Sequence, residues 1–272
     1  MKNKFTAEIE EFLKENAAGL RVVSVSMEQA QDVERVAALL KANDTEKDRV
    51  FLYEDRWNFN REQVKQRLLL RAGRFKSIFA RNCKVLSNTA GSETDLMSAA
   101  MVSKTKKFIE TNHSLGYVKS PYMLALIHKE NIVAAATFSK PIVTTRTING
   151  KEQKFLSYEW TRYASLPNVS VVGGMGKLVK AFLAQEAENK EIANGESALS
   201  IEIMSYSDNE WSRGEAYKKL GFKEVEGRGP IPHYVNAKSW ERVSERIAEK
   251  NNKEKYLRIY NMGSRKWLLH SK

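Results

Sequence analysis

Apolar positions along the chain change period several times, and each change marks a predicted element. Phe5, Ile9, Phe12 and Leu13 share one stripe of a polar helix over residues 1–18. Residues 21–25 alternate as a short strand. Ser26 and Gln29 then form a capping box, and Val33, Val36, Ala37 and Leu40 follow at helical spacing, so a helix is expected up to Asn43-Asp44. Val50–Tyr53 is strand-like. Asn60 and Gln63 open a helix through Val64, Leu68 and Leu69 that closes at Gly73. Residues 75–86 read as a strand and turn, 88–93 as a loop and 94–111 as a helix.

From Tyr122 the period becomes that of strands. Tyr122–His128 and residues 132–139 flank Lys129-Glu130-Asn131, and Ile142–Ile148 and residues 155–164 flank Asn149-Gly150, two hairpin signatures. A Gly-rich turn at 173–176 leads into a helix through Leu178, Val179, Phe182 and Leu183. A strand at 199–206, a short helix at 210–220 and a strand at 222–225 follow. Beyond Pro230 and Pro232 come a charged helix near 238–250 and a last hairpin around Asn261-Met262-Gly263. Hairpins followed by strand, turn, helix, strand, helix and strand predict a mixed α/β (α+β) fold.

Composition narrows the setting. Of 272 residues, 42% are hydrophobic, enough for a real core, and no apolar run approaches the roughly 18 residues that cross a bilayer. The basic start at Lys2 and Lys4 runs into Glu-rich sequence, unlike a signal peptide, and the single Cys83 excludes an internal disulfide and a multi-Cys zinc site. A cytosolic protein is expected. The charge of +12 favours a polyanionic partner, either nucleic acid or the phosphates of a nucleotide cofactor. The excess is diffuse, since its densest clusters are only Lys104-Lys106-Lys107 and Lys253-Lys255.

Two segments carry candidate chemistry. Val171-Val172-Gly173-Gly174-Met175-Gly176-Lys177 follows an extended segment and opens a helix, so glycines would let a ligand approach while free N–H groups point at an anion such as a pyrophosphate. A purely structural Gly-rich turn is the rival account. The spacing is neither that of a Walker motif nor of a dinucleotide fold's first turn. In Ala216-Tyr217-Lys218-Lys219-Leu220-Gly221-Phe222, Gly221 suits a helix C′ position, and Tyr217 is either core or a proton donor to a departing thiolate.

Hairpin strands, a Gly-rich turn into a helix, a strand and then Tyr217-x-Lys219-x-Gly221-Phe222 resemble the GNAT superfamily of acyl-CoA transferases. Gly174 and Gly176 match the glycines of that superfamily's phosphate loop, whereas Val171 stands where it carries Arg or Gln. Its Asn-x-x-Ala is replaced by Ser207-Asp208-Asn209-Glu210-Trp211. A narrower likeness covers roughly residues 50–265. Glu159-x-x-Arg162, Val172-Gly173-Gly174, Tyr206-Ser207-Asp208, Trp211-Ser212-x-Gly214-x-x-Tyr217 and Leu220-Gly221-Phe222, with Ala80-Arg81-x-Cys83, Asn112-His113-x-x-Gly116 and residues 256–263, resemble the GNAT-like module of phage homing-endonuclease-like and Mom-like DNA-modification proteins.

The resemblance implies a mostly antiparallel central sheet flanked by helices. It divides the chain into an α/β extension at 1–49, an acyl-CoA-binding domain at 50–265 and a tail at 266–272. It further implies acetyl-CoA or another acyl-CoA held by Val172, Gly173, Gly174, Met175, Gly176, Lys177, Asp208 and Asn209. An amine would attack the thioester, His113 or Glu159 would take its proton, Arg162 would lie beside them and Tyr217 would protonate the thiolate. No metal is expected. In a regular strand Glu159 and Arg162 face opposite ways, so sharing one surface requires a bulge between them. The alternative is a Mom-like DNA base-modifying enzyme, or a non-catalytic nucleic-acid-binding module of the same fold. For each candidate a structural role is the rival: a helix cap for His113, an ion pair for Glu159 and Arg162, and core packing for Trp211 and Cys83.

Overall fold

The structure is a computed structural model that describes residues 4–17, 19–27, 35–41, 49–91, 93–193 and 199–271. The chain forms two compact units. One comprises Met1–Arg74, Tyr206–Lys218 and Glu224–Lys266, and the other comprises Phe75–Ser205, Lys219–Lys223 and Trp267–Lys272. The chain therefore leaves the first unit and returns to it. The strands Ser200–Asp208 and Ser264–His270 contribute residues to both units.

In the first unit the expected N-terminal helix runs over Lys4–Asn16 and buries Phe5, Ile9 and Leu13. These join Leu20, Leu39, Leu52, Trp57, Val64 and Leu68 in one core cluster. The helix predicted through Val36, Ala37 and Leu40 is instead the strand Arg35–Lys41, the middle of an antiparallel sheet between Leu20–Met27 and Val50–Tyr53. Partners on both edges satisfy its backbone, which outweighs the helical preference of Ala and Leu. Gln29, Val33 and Asn43-Asp44 lie outside the described residues. The helix Arg61–Arg71 buries Val64 and Leu68 and ends at Gly73 (φ 78°), whose N–H bonds Leu70 O. The helix Glu54–Phe59, absent from the sequence reading, precedes it.

The same unit carries a second sheet, in the order Arg242–Val243, Pro232–Asn236 and Tyr256–Tyr260. The hairpin expected around Asn261-Met262-Gly263 does not form. Tyr256–Tyr260 pairs with Pro232–Asn236, whereas Ser264–His270 lies between Lys223–Arg228 and Ser200–Asp208. Gly263 (φ 72°) turns the chain where an added Cβ would sit 2.4 Å from Arg228 O. The charged helix near 238–250 shrinks to Glu245–Lys250.

The second unit is built on a mostly antiparallel sheet flanked by helices, which bears out the expected fold class. Along it, Ser200–Asp208, Lys151–Ser165, Asn131–Phe138, Tyr122–His128, Lys84–Ser87 and Asp95–Leu96 are successive neighbours, with Ile142–Ile148 pairing the first half of Lys151–Ser165 on the edge opposite Ser200–Asp208. Both inner hairpins turn where their sequences suggest. Lys129 and Glu130 (φ 46° and 63°), and Asn149 and Gly150 (φ 51° and 75°), take the left-handed pairs of tight hairpin turns.

Helices cover the two faces of this sheet. Ala99–Asn112, capped by Ser98 Oγ accepting from Met101 N–H, belongs to a cluster with Met123, Ala125, Ile127 and Ala135. On the other face, Phe182 of the helix Gly174–Ala193 stacks on Phe138 with ring centroids 3.9 Å apart and meets the edges of Tyr122 and Tyr158 at 5.5 and 5.1 Å. Tyr158 also donates to the buried Glu186 at 2.6 Å, so that helix is fixed to the sheet by both packing and a polar contact.

Candidate functional site

The glycine turn grows out of a short parallel strand pair. Val169–Val172 runs beside Lys76–Phe79, with Val172 opposite Phe79. Val171 turns inward and is buried, and Gly173 (φ 77°) bends the chain into the helix Gly174–Ala193. A Cβ on Gly174 would sit 2.9 Å from Val171 Cγ1 and 3.0 Å from Tyr163 Oη, and one on Gly176 would sit 3.1 Å from Leu220 Cδ2. Gly174 thus packs where a larger side chain would clash, and Val171 is what fills the space.

The first helical bond is Lys177 N–H to Gly173 O, at 2.9 Å. The amides of Gly174, Met175 and Gly176 come before it and have no carbonyl of their own helix to meet. No acidic residue occupies the first turn, so the positive end of the helix carries no compensating side-chain charge. Lys177 sends its ammonium to Ala80 O (3.1 Å) and Cys83 O (2.6 Å), which ties the glycine turn to the 80–83 turn. Its N–H and Nζ are therefore both engaged within the protein. Val172 and Phe79 stand exposed beside the turn, and the Arg81 guanidinium lies 4.6 Å over the Phe79 ring. Cys83 is buried, and burial pushes its thiol up despite the Lys177 charge.

The strand Lys151–Ser165 leads into this turn and changes partner midway. It runs parallel to Ser200–Asp208 from Phe155↔Ser200 to Glu159↔Met204, where that pairing stops. On its other edge the register slips between Trp160 and Arg162, which face Phe138 and Thr137. Consecutive partners flank one extra residue, Thr161, so Glu159 and Arg162 share a face. This is the bulge their juxtaposition required. Burial lowers the Arg162 pKa while the Glu159 charge opposes that shift. Arg162 Nε donates to Gly116 O at 2.8 Å, and Thr161 Oγ1 lies 2.8 Å from Thr137 Oγ1 and 3.2 Å from Ser120 Oγ.

His113 begins the loop that contains Gly116. It ends the helix Ala99–Asn112, its N–H bonds Ile109 O, and its Nδ1 accepts from Leu115 N–H at 3.1 Å. Its backbone thus closes the helix, while its imidazole braces the loop that follows.

Asp208, Asn209 and Tyr217 belong to the first unit. Asp208 Oδ1 accepts from Glu210 N–H (2.9 Å), and its carbonyl accepts from Trp211 and Ser212. Asn209 holds Met262 O through Nδ2 at 3.0 Å, and Tyr217 Oη donates to Tyr206 O at a long 3.4 Å. Trp211 packs against the helical core cluster with the Arg67 guanidinium 3.8 Å over its ring.

One polar group went unread in the sequence. Glu202, fully buried, accepts from Arg146 Nε (2.9 Å) and Nη2 (2.8 Å) and from Ser157 Oγ (2.6 Å), and lies 3.0 Å from His270 Nε2. Burial alone would raise its pKa. The hydrogen bonds from Arg146, Ser157 and His270 outweigh burial and bring it down to about 2. The signal was a lone carboxylate within the apolar run Ile201-Glu202-Ile203, which has to find a buried partner.

No family model matches the chain, and no curated protein does. Among solved structures, a GNAT family acetyltransferase from Elizabethkingia anophelis with acetyl-CoA bound is 13% identical over 70% of this chain and 99% of that one, at a TM-score of 0.35. An agmatine N-acetyltransferase mutant in its apo form is 13% identical over 64% of this chain and 83% of that one, at a TM-score of 0.29. Overlap at this level does not bear on activity.

Proposed function

We propose that the chain is an acyl-CoA-dependent acyltransferase that passes the acyl group to an amine. The observation that carries this reading is the strand Lys151–Ser165. It gives up its parallel partner after Glu159, bulges at Thr161, and is followed by the short strand Val169–Val172 and a helix start whose amides at Gly174, Met175 and Gly176 have no partner among the described residues. A thioester laid between the parting strands would have its carbonyl near backbone freed from pairing. Its pyrophosphate would meet the N–H groups of Gly174, Met175 and Gly176. Lys177 would act by holding the turn together, since its ammonium serves Ala80 and Cys83. Glu159, with its charge beside Arg162, would orient the incoming amine. The proton-donor role of Tyr217 and the ligand contacts of Asp208 and Asn209 come from the family resemblance alone.

Isothermal titration with acetyl-CoA, alongside native mass spectrometry for a co-purifying CoA species, tests the reading. Saturable binding that adenosine 3′,5′-bisphosphate competes away is expected. A folded protein that binds neither nucleotide refutes it.

The charge of +12 favours a second reading, in which the acceptor amine is a DNA base. Retention on DNA that falls steeply with salt, and an altered nucleoside in DNA from expressing cells, would support it. DNA binding without affinity for acetyl-CoA would instead point to a non-catalytic module.

A further inference from the structure

Arg146, Ser157, Glu202 and His270 form a row across four adjacent strands of the sheet. Ser157 and Glu202 are register partners two residues before the last pair, Glu159↔Met204. The Ser157–Glu202 pair therefore shares a face with Glu159 and Arg162 and lies about 7 Å along the strand from where the strands part, with Arg146 and His270 reaching it from the flanking strands.

The group has a direction. Arg146 and Ser157 keep Glu202 ionised, so its contact with His270 requires the proton to sit on Nε2. The lone pair of a neutral His270 is then on Nδ1. Stacking on Phe155, with centroids 4.5 Å apart and planes 20° apart, holds the ring, and the side chain remains 32% exposed. Among the described residues Nδ1 has no hydrogen-bond partner. A buried carboxylate thus orients an imidazole whose other nitrogen is open, the arrangement by which carboxylate–histidine pairs accept protons. His113, in contrast, spends its Nδ1 on the N–H of Leu115.

We infer that His270, oriented by Glu202, is the proton acceptor for the attacking amine. This rests on the acyl-transfer reading. As the amine nitrogen bonds to the thioester carbon, its proton passes to His270 Nδ1. The C–S bond breaks with its electron pair on sulfur, and the thiolate takes a proton from solvent. Glu202 stays anionic and stabilises the imidazolium.

Diethylpyrocarbonate, which attacks unprotonated imidazole nitrogen, tests the assignment by peptide mass mapping of the whole chain at pH 9, where imidazoles are neutral even beside a carboxylate and the comparison reads nucleophilicity and access. His270 should react about tenfold faster than His128, should slow markedly in Glu202→Gln, and should be protected by saturating acetyl-CoA. The wild-type comparison needs no variant, so a Glu202→Gln chain that fails to fold leaves the test intact. His270 reacting no faster than His128, or acetyl-CoA binding without slowing it, overturns the inference. Absence of any acetyl-CoA binding removes the acyl-transfer reading instead, while the His270-to-His128 ratio still decides whether the pair presents an open nitrogen.

Discussion

Replacing Glu202 by Gln keeps its shape and removes its charge, which isolates what that charge contributes. The carboxylate is fully buried, and with its three partners its pKa is about 2 against an ordinary 4.5. That difference converts to about 3 kcal/mol of folding stability at neutral pH. The sign follows from the lowered value. Protonation in the unfolded chain begins near pH 4.5, so the stabilisation is complete above that and is lost as pH falls toward 2. Paired urea melts of wild type and Glu202→Gln should differ by about 3 kcal/mol at pH 7 and by less than half of that at pH 3. Arg146 remains partly exposed at 30%, so its guanidinium can regain water in the variant and adds little further cost. Two proteins equally stable at pH 7, or a gap that does not narrow between pH 4.5 and 3, would refute the reasoning.

Two further sets of substitutions probe packing at the glycine turn of the second unit and the buried charges of the first. Gly174→Ala should cost about 1–3 kcal/mol, because its methyl meets Val171 at 2.9 Å, and Val171→Ala in the same chain should recover part of that in thermal melts. Arg242 holds Asp55 (2.6 Å) and Glu210 (3.0 Å) with all three groups buried, and burial pushes Glu210 up against the pull of Arg242. Arg242→Met should therefore cost about 3–5 kcal/mol by calorimetry, whereas Arg242→Met with Asp55→Leu and Glu210→Leu should regain most of it.

The hairpins were legible because a tight turn is a local event. Lys129-Glu130 and Asn149-Gly150 take left-handed backbone irrespective of what the strands pack against. The glycine turn was legible for the same reason. The stripe through Val36, Ala37 and Leu40 was not, since a short apolar run suits either period, and partners on both sides made it a strand. The turn at Asn261-Met262-Gly263 was seen, but the pairing of its flanks was not. Tyr256–Tyr260 and Ser264–His270 find partners far away in the chain, which nothing local encodes.

Residue spacing by itself determined the mixed α/β class, the hairpin turns, the glycine turn at Gly173–Gly176 that opens a helix and the need for a bulge if Glu159 and Arg162 are to share a face. Only tertiary structure decided which groups those elements bring together. It engages Lys177 on two carbonyls of the 80–83 turn. It also assembles Arg146, Ser157, Glu202 and His270, more than a hundred residues apart at the ends, into one row. Short-range signals report backbone preference. A buried charge instead finds its partners through the register of neighbouring strands, and that register exists only once the sheet has formed.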